Sequence, residues 1–293
     1  MDIFMSRVIN KIKYYIDRVG LLKYESVIVK SGEEATSTSD NDWYIRSVES
    51  FLRYDKKFQK FKKSPSYREV LEHVTEDQAL QYLDRIKEIS TEMLSADSLK
   101  SASINDVVGS PIIYDFGNYG DYSGPTIRYL YVCAHIKSLF AIDKIENIAE
   151  IGGGYGGQAL VYNQMFNYNS YTIFDLEPVC RLVDKYLGNF FLTGGINALD
   201  INKFPLGEKK FDLVISNYAF SELPKKLQKI YLDKVILNSK CGYMTMNTGY
   251  DMKGFRRASR YNCSELLDML PNSRVIEENP LTARMNYIIV WNE

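Results

Sequence analysis

The sequence predicts an α/β fold, an open and mostly parallel sheet with an antiparallel last strand, preceded by an α-helical N-terminal cap. Three observations carry that expectation. The stretch Asn147 to Gln158 runs from a short apolar strand through a glycine cluster into a helix. Further β-rich runs then end on polar residues, Ser170 to Phe174 before Asp175, a third strand opening at Phe190 to Leu192 and reaching Asp200, and Phe211 to Ser216 before Asn217. Finally, Ser273 to Glu277 and Asn286 to Trp291 lie too close together for a crossover helix, so they must pair antiparallel.

The elements follow in order. Ile3, Phe4, Val8, Ile9, Ile12, Tyr15, Ile16 and Val19 recur at helical spacing until Gly20, which makes an amphipathic helix. Its apolar stripe suits packing on the domain or on a second subunit of a homo-oligomer; its cations Arg7, Lys11, Lys13 and Arg18 suit a membrane surface. Gly32 to Asp42 is a polar loop. Helices follow over Asp42 to Lys63 and Ser66 to Val74, and another starts at Thr75, where Thr75 and Gln78 form a capping box. The lysines Lys56, Lys57, Lys60, Lys62 and Lys63 read as a solvated helix face. The chain divides near residue 105, with the cap over 1–105 and the sheet domain over 106–293.

Between the two lies Gly109 to Pro125, rich in Gly, Asp and aromatics. Pro125 suits the first turn of a helix running through Tyr129 to Phe140. Tyr119, Asp121 and Tyr122 could together present rings to sugar C–H faces and a carboxylate to hydroxyls, or they could simply pack.

Composition excludes several classes. The 293 residues are 45% hydrophobic and 25% charged, enough to bury a full core, and the net charge of −1 lacks the basic footprint of a nucleic-acid binder. No apolar run approaches the roughly 20 residues of a membrane span, and the N-terminus lacks the apolar core of a signal peptide. The four cysteines show no C-x-x-C spacing, so neither zinc nor a disulfide framework is expected. The expected compartment is cytoplasmic.

The glycine cluster is ambiguous by itself. Gly152, Gly154 and Gly157 satisfy the dinucleotide pattern G-x-G-x-x-G, while Glu150 with Gly152, Gly154 and Gly156 gives acid-x-G-x-G-x-G. The succession of strand, glycine turn, strand-Asp175, strand-Asp200 and F-D-L-V-I-S-N resembles class I S-adenosylmethionine-dependent methyltransferases, whose sheet is Rossmann-like with a reversed final strand. That resemblance implies S-adenosylmethionine as cofactor, with Glu150 supporting the glycine loop, Asp175 holding the ribose, Asp200 meeting the adenine amino group and Asn217 completing the site. The motifs G-S-P, S-G-P-T-I-R-Y, E-I-G-G-G-Y-G-G-Q, I-F-D-L and F-D-L-V-I-S-N-Y-A-F-S-E-L look like those of bacterial sugar O-methyltransferases of surface-polysaccharide synthesis, over about residues 105 to 225. The implied partner is a small-molecule or a lipid- or nucleotide-linked sugar acceptor. One departure is the turn Asp175-Leu176-Glu177-Pro178, where Asp-Leu-Pro is expected.

Such chemistry needs an acceptor oxygen aligned with the methyl group and relieved of its proton. Glu222, just after the fourth strand, matches the family's acid and is the first candidate base; its other reading is a structural salt bridge. His135 is the second, and His73 has less to recommend it. Arg256, Arg257 and Arg260 follow a fifth strand, Gly242 to Met246, and could hold a phosphate or stand as surface charge. Three other readings stay open: an NAD-dependent oxidoreductase on the same glycines, a methyltransferase for another small molecule including a phosphate-derived group, and a non-catalytic homologue.

Overall fold

The computed structural model describes residues 42–205, 207, 210–247 and 260–293. The amphipathic stretch Ile3 to Val19, and Arg256 and Arg257, lie outside them.

The cap contributes α1 (Asp42–Arg53), α2 (Asp55–Phe58), α3 (Pro65–Val70), α4 (Glu76–Ile89) and α5 (Ala96–Ala102). The helix expected over 42–63 is therefore broken. Tyr54 leaves helical geometry at φ −121°, ψ 108°, and Phe61–Lys63 form a separate 3₁₀ turn. The α4 start agrees with the capping box, since Thr75 Oγ1 accepts from Gln78 N at 3.3 Å and Gln78 Oε1 accepts from Thr75 N at 3.1 Å.

The lysine run is not one solvated face. Lys62 is only 1% exposed. Its Nζ donates to Asn105 O and, at 3.2 Å, to Tyr186 Oη, and it stands 4.5 Å from the ring centroid of Tyr155. Burial pushes its pKa down to about 8, against the nearby carboxylates of Glu72 and Asp106.

The aromatic segment forms a small antiparallel hairpin, β1 (Ile113–Asp115) with β2 (Asp121–Ser123). Ser123 then caps α6 (Gly124–Leu139), its Oγ accepting from Thr126 N at 3.2 Å, with Pro125 in the first turn.

The main sheet holds β3 (Asn147–Ile151), β4 (Ser170–Phe174), β5 (Gly195–Leu199), β6 (Phe211–Asn217), β7 (Ser239–Met246), β8 (Ser273–Glu277) and β9 (Tyr287–Trp291). Their order is β5-β4-β3-β6-β7-β9-β8. The first five are mutually parallel, and β9 enters antiparallel between β7 and β8. This is the mostly parallel, Rossmann-like sheet with a reversed last strand that the sequence predicts. The third strand starts later than expected. Its register against β4 runs from Ser170 opposite Gly195 to Phe174 opposite Leu199, and Phe191 is left exposed in the preceding turn.

Helices α7 (Gly157–Met165), α8 (Glu177–Leu187), α9 (Ala219–Glu222), α10 (Lys225–Lys234) and α11 (Cys263–Met269) complete the fold. Strand residues alternate between two buried clusters, one per sheet face, as expected for strands covered on both sides. Ile148, Tyr171 and Ile215 join the cluster that also contains cap residues Tyr44, Val48, Phe61 and Tyr67. Ala149, Val214 and Met244 join the cluster under α10 and α11. The cap thus shares a core with one face of the sheet. No helix among the described residues is long and apolar enough to cross a membrane.

Candidate active site

The C-terminal ends of β3, β4, β5 and β6 open into a cavity of about 370 Å³. Ligands of open α/β sheets bind at this edge, because strand ends and the loops after them converge there. Gly152, Gly154, Asp175, Asp200, Asn217 and Glu222 all line it, so six of the residues singled out in the sequence are brought together.

The glycine loop is set by close packing. Gly152 has φ +73°, and a Cβ there would lie 2.0 Å from Ala219 Cβ; at Gly154, with φ +57°, it would meet Leu71 of the cap at 2.8 Å. The loop is therefore clamped between the turn after β6 and the cap. Asp175 ties it to β4, since Oδ2 accepts from Gly154 N at 3.0 Å and Oδ1 from Leu176 N at 2.8 Å. Asp200 Oδ1 accepts from Asn202 N at 2.8 Å, holding the turn after β5.

Glu150 and Gly156 stand behind the cavity wall. Glu150 is 1% exposed, and its Oε2 accepts from Tyr171 Oη at 3.0 Å. Burial pushes its pKa up to about 8, opposed by the Tyr171 hydrogen bond. It lies under the loop, 3.1 Å from where a Cβ on Gly153 would sit. Gly156, with φ +91°, starts α7.

A second wall surrounds Glu222, whose Oε1 accepts from Asn247 Nδ2 at 3.0 Å. Asn247 Oδ1 in turn accepts from Arg260 Nη1 at 3.4 Å. Arg260 is thus buried behind Asn247, 9% exposed, so of its two readings, a phosphate contact or surface charge, the second does not hold.

His135 does not reach the cavity. Its Nδ1 lies 3.3 Å from Tyr131 Oη and 3.1 Å from Tyr243 Oη, within the core under α6. Burial, with the charges of Arg85 and Arg274, pushes its pKa down to about 4. It is a packing residue, as a lone histidine on an apolar helix often is. Tyr119, Asp121 and Tyr122 also stay off the cavity. Tyr122 is buried, Tyr119 packs against the core, and Asp121 points from the hairpin surface.

Several lining residues carry no motif. His73 of the cap faces the cavity with an exposed surface, yet the surrounding protein and the Arg128 charge push its pKa down to about 4. Tyr218 has φ +69°, unusual for a bulky residue, and its hydroxyl reaches Glu278 and, at 3.0 Å, Thr282 Oγ1. Arg128 is buried on α6. The one sequence signal for it was a cation inside an otherwise apolar turn, T-I-R-Y-L-Y.

No protein-family model matches this chain, and no curated protein matches it. Solved structures with a similar backbone include magnesium protoporphyrin IX methyltransferase from Synechocystis PCC 6803 with bound SAM. That similarity has 11% identity and TM-score 0.41, over 56% of this chain and 78% of that one. PigF with SAH is similar at 12% identity and TM-score 0.40, over 78% of each chain. SAM-bound CalS10, an amino pentose methyltransferase from Micromonospora echinaspora involved in calicheamicin biosynthesis, is similar at 11% identity and TM-score 0.40, over 57% of this chain and 90% of that one. The likeness is one of fold.

Proposed function

We propose that the chain is an S-adenosylmethionine-dependent methyltransferase acting on a hydroxyl of a sugar or sugar-containing intermediate of surface-polysaccharide synthesis. The observation that carries the methyl-transfer reading is the convergence of Gly152, Gly154, Asp175, Asp200 and Asn217 on one cavity that also contains Glu222. The glycine backbone leaves room for a ligand, Asp175 offers carboxylate oxygens to a ribose diol, and Asp200 stands where an adenine amino group can be met. The bound cofactor supplies a methyl group on a sulfonium, already an excellent leaving group. Glu222, held by Asn247, orients the acceptor hydroxyl and takes its proton as the oxygen is methylated. The antiparallel β9 favours this reading over an NAD-dependent oxidoreductase, whose sheet continues parallel through a second nucleotide-binding half.

The sugar acceptor is supported by the motif resemblance over about residues 105 to 225. Thermal shift with S-adenosylhomocysteine and with NADH tests the cofactor, because a ligand of the native state raises the melting temperature. Stabilisation by NADH alone overturns the reading. Transfer of labelled methyl to nucleotide-linked and lipid-linked sugars then tests the acceptor: base-stable label marks an ether, and base-labile label marks an ester and excludes hydroxyl methylation.

A further inference from the structure

We propose that Arg128 forms a subsite for an anionic oxygen pair, a carboxylate or phosphate, inside this cavity. Arg128 is 8% exposed and lines both the main cavity and a separate small pocket bounded by Tyr82, Tyr131, Tyr218 and Glu278. Its guanidinium carbon lies 5.0 Å from the ring centroid of Tyr218 and 6.0 Å from that of Tyr129. Those aromatic faces are its contacts: among the described residues it makes no ion pair and no side-chain hydrogen bond. Its charge is felt by the carboxyls of Glu278, Glu72 and Glu150, and the Glu278 oxygens already accept from Tyr218 Oη, from Thr282 N at 3.0 Å and from Thr282 Oγ1 at 2.8 Å.

The Arg128 guanidinium opens onto the cavity with its N–H groups unused by side-chain acceptors, and its five donors form a rigid fork matched to carboxylate and phosphate. The aromatic faces set the plane of the fork without consuming its N–H groups. Arg128 is therefore preorganised for a ligand anion that completes its shell. Under the methyl-transfer reading, on which the identity of the source rests, the anion is either the amino-acid carboxylate of the cofactor or an acidic group of the acceptor.

Calorimetry on the full chain separates the sources, using parent, Arg128→Met and the charge-retaining Arg128→Lys, with circular dichroism as the check on folding. The probes are S-adenosylhomocysteine, 5′-methylthioadenosine, which lacks the amino-acid carboxylate, and inorganic phosphate with and without S-adenosylhomocysteine. A cofactor carboxylate at Arg128 is expected to weaken S-adenosylhomocysteine binding about 10- to 100-fold in Arg128→Met and leave 5′-methylthioadenosine unchanged. An acceptor anion leaves both nucleosides unchanged and abolishes phosphate binding to the nucleoside-saturated protein. Should Arg128→Met fail to fold, Arg128→Lys is expected to show the same loss at smaller size, because a point charge cannot replace the fork. Unchanged binding of every probe in a folded variant overturns the subsite. Failure of the parent to bind either nucleoside overturns the methyl-transfer reading instead, and phosphate binding to the ligand-free protein that depends on Arg128 then still supports the subsite.

Discussion

Gly154 N donates to Asp175 Oδ2 across 3.0 Å, so the glycine loop and the carboxylate at the end of β4 form one unit. Asp175→Ala therefore removes both the acceptor for ribose hydroxyls and the brace of the loop. Calorimetry is expected to show at least about a 100-fold loss of S-adenosylhomocysteine affinity, the scale of two charge-assisted hydrogen bonds, with the fold retained. Unchanged affinity would remove Asp175 from the cofactor site.

Glu222 lies on the same cavity and is oriented by Asn247. Glu222→Gln keeps the shape and the Asn247 contact but cannot take a proton. Turnover is expected to fall about 10²–10⁴-fold with S-adenosylhomocysteine binding little altered. Near-normal single-turnover rates would leave the reaction to alignment alone.

Lys62 and Glu72 are both buried at the seam between the cap and the glycine loop, and burial raises the Glu72 pKa to about 7, against the pull of Lys62. Lys62→Met leaves Glu72 with only the charge of Arg128 to oppose its burial and is expected to cost about 1–2 kcal/mol above pH 7 in urea unfolding, each further unit of rise in the Glu72 pKa being about 1.4 kcal/mol. The cost should shrink toward pH 5, where Glu72 is protonated. The double variant Lys62→Met, Glu72→Gln is expected to recover part of it, which is the signature of coupling.

His135 has a folded pKa near 4 against an ordinary value of 6.5. A depressed pKa contributes stability above pH 6.5 that is lost as pH falls through 4, up to about 3 kcal/mol for this group. His135→Gln is expected to flatten the acid side of the stability curve measured by urea unfolding between pH 7 and 4, while turnover at pH 7 stays near that of the parent. A 100-fold loss of turnover in a folded variant would return His135 to the mechanism.

Much of the fold was legible in the sequence because it is written locally. A strand entering a glycine turn and a helix, the Thr75–Gln78 box, and two terminal strands too close for a crossover are each decided within a dozen or so residues. The polar residues closing β4, β5 and β6 were legible for a related reason: parallel strands bring their C-terminal ends to one edge, so Asp175, Asp200 and Asn217 had to meet. The third strand was misplaced at its start because the apolar pair Phe190 and Phe191 reads as strand, whereas pairing with β4 decides where β5 begins.

What only the tertiary structure decided is which side chains are buried, and beside what. Lys62 reads as one lysine in a basic run until Tyr186, 124 residues away, and Asn105 close over it. His135 and Arg128 lie two turns apart on α6, yet the first sinks against Tyr243 and the second faces the cavity beneath Tyr218. Helical spacing assigns a residue to a face; the elements packed against that face determine whether it meets core, cavity or solvent. Those elements come from distant parts of the chain, so burial, and with it pKa and chemical role, is set by tertiary packing.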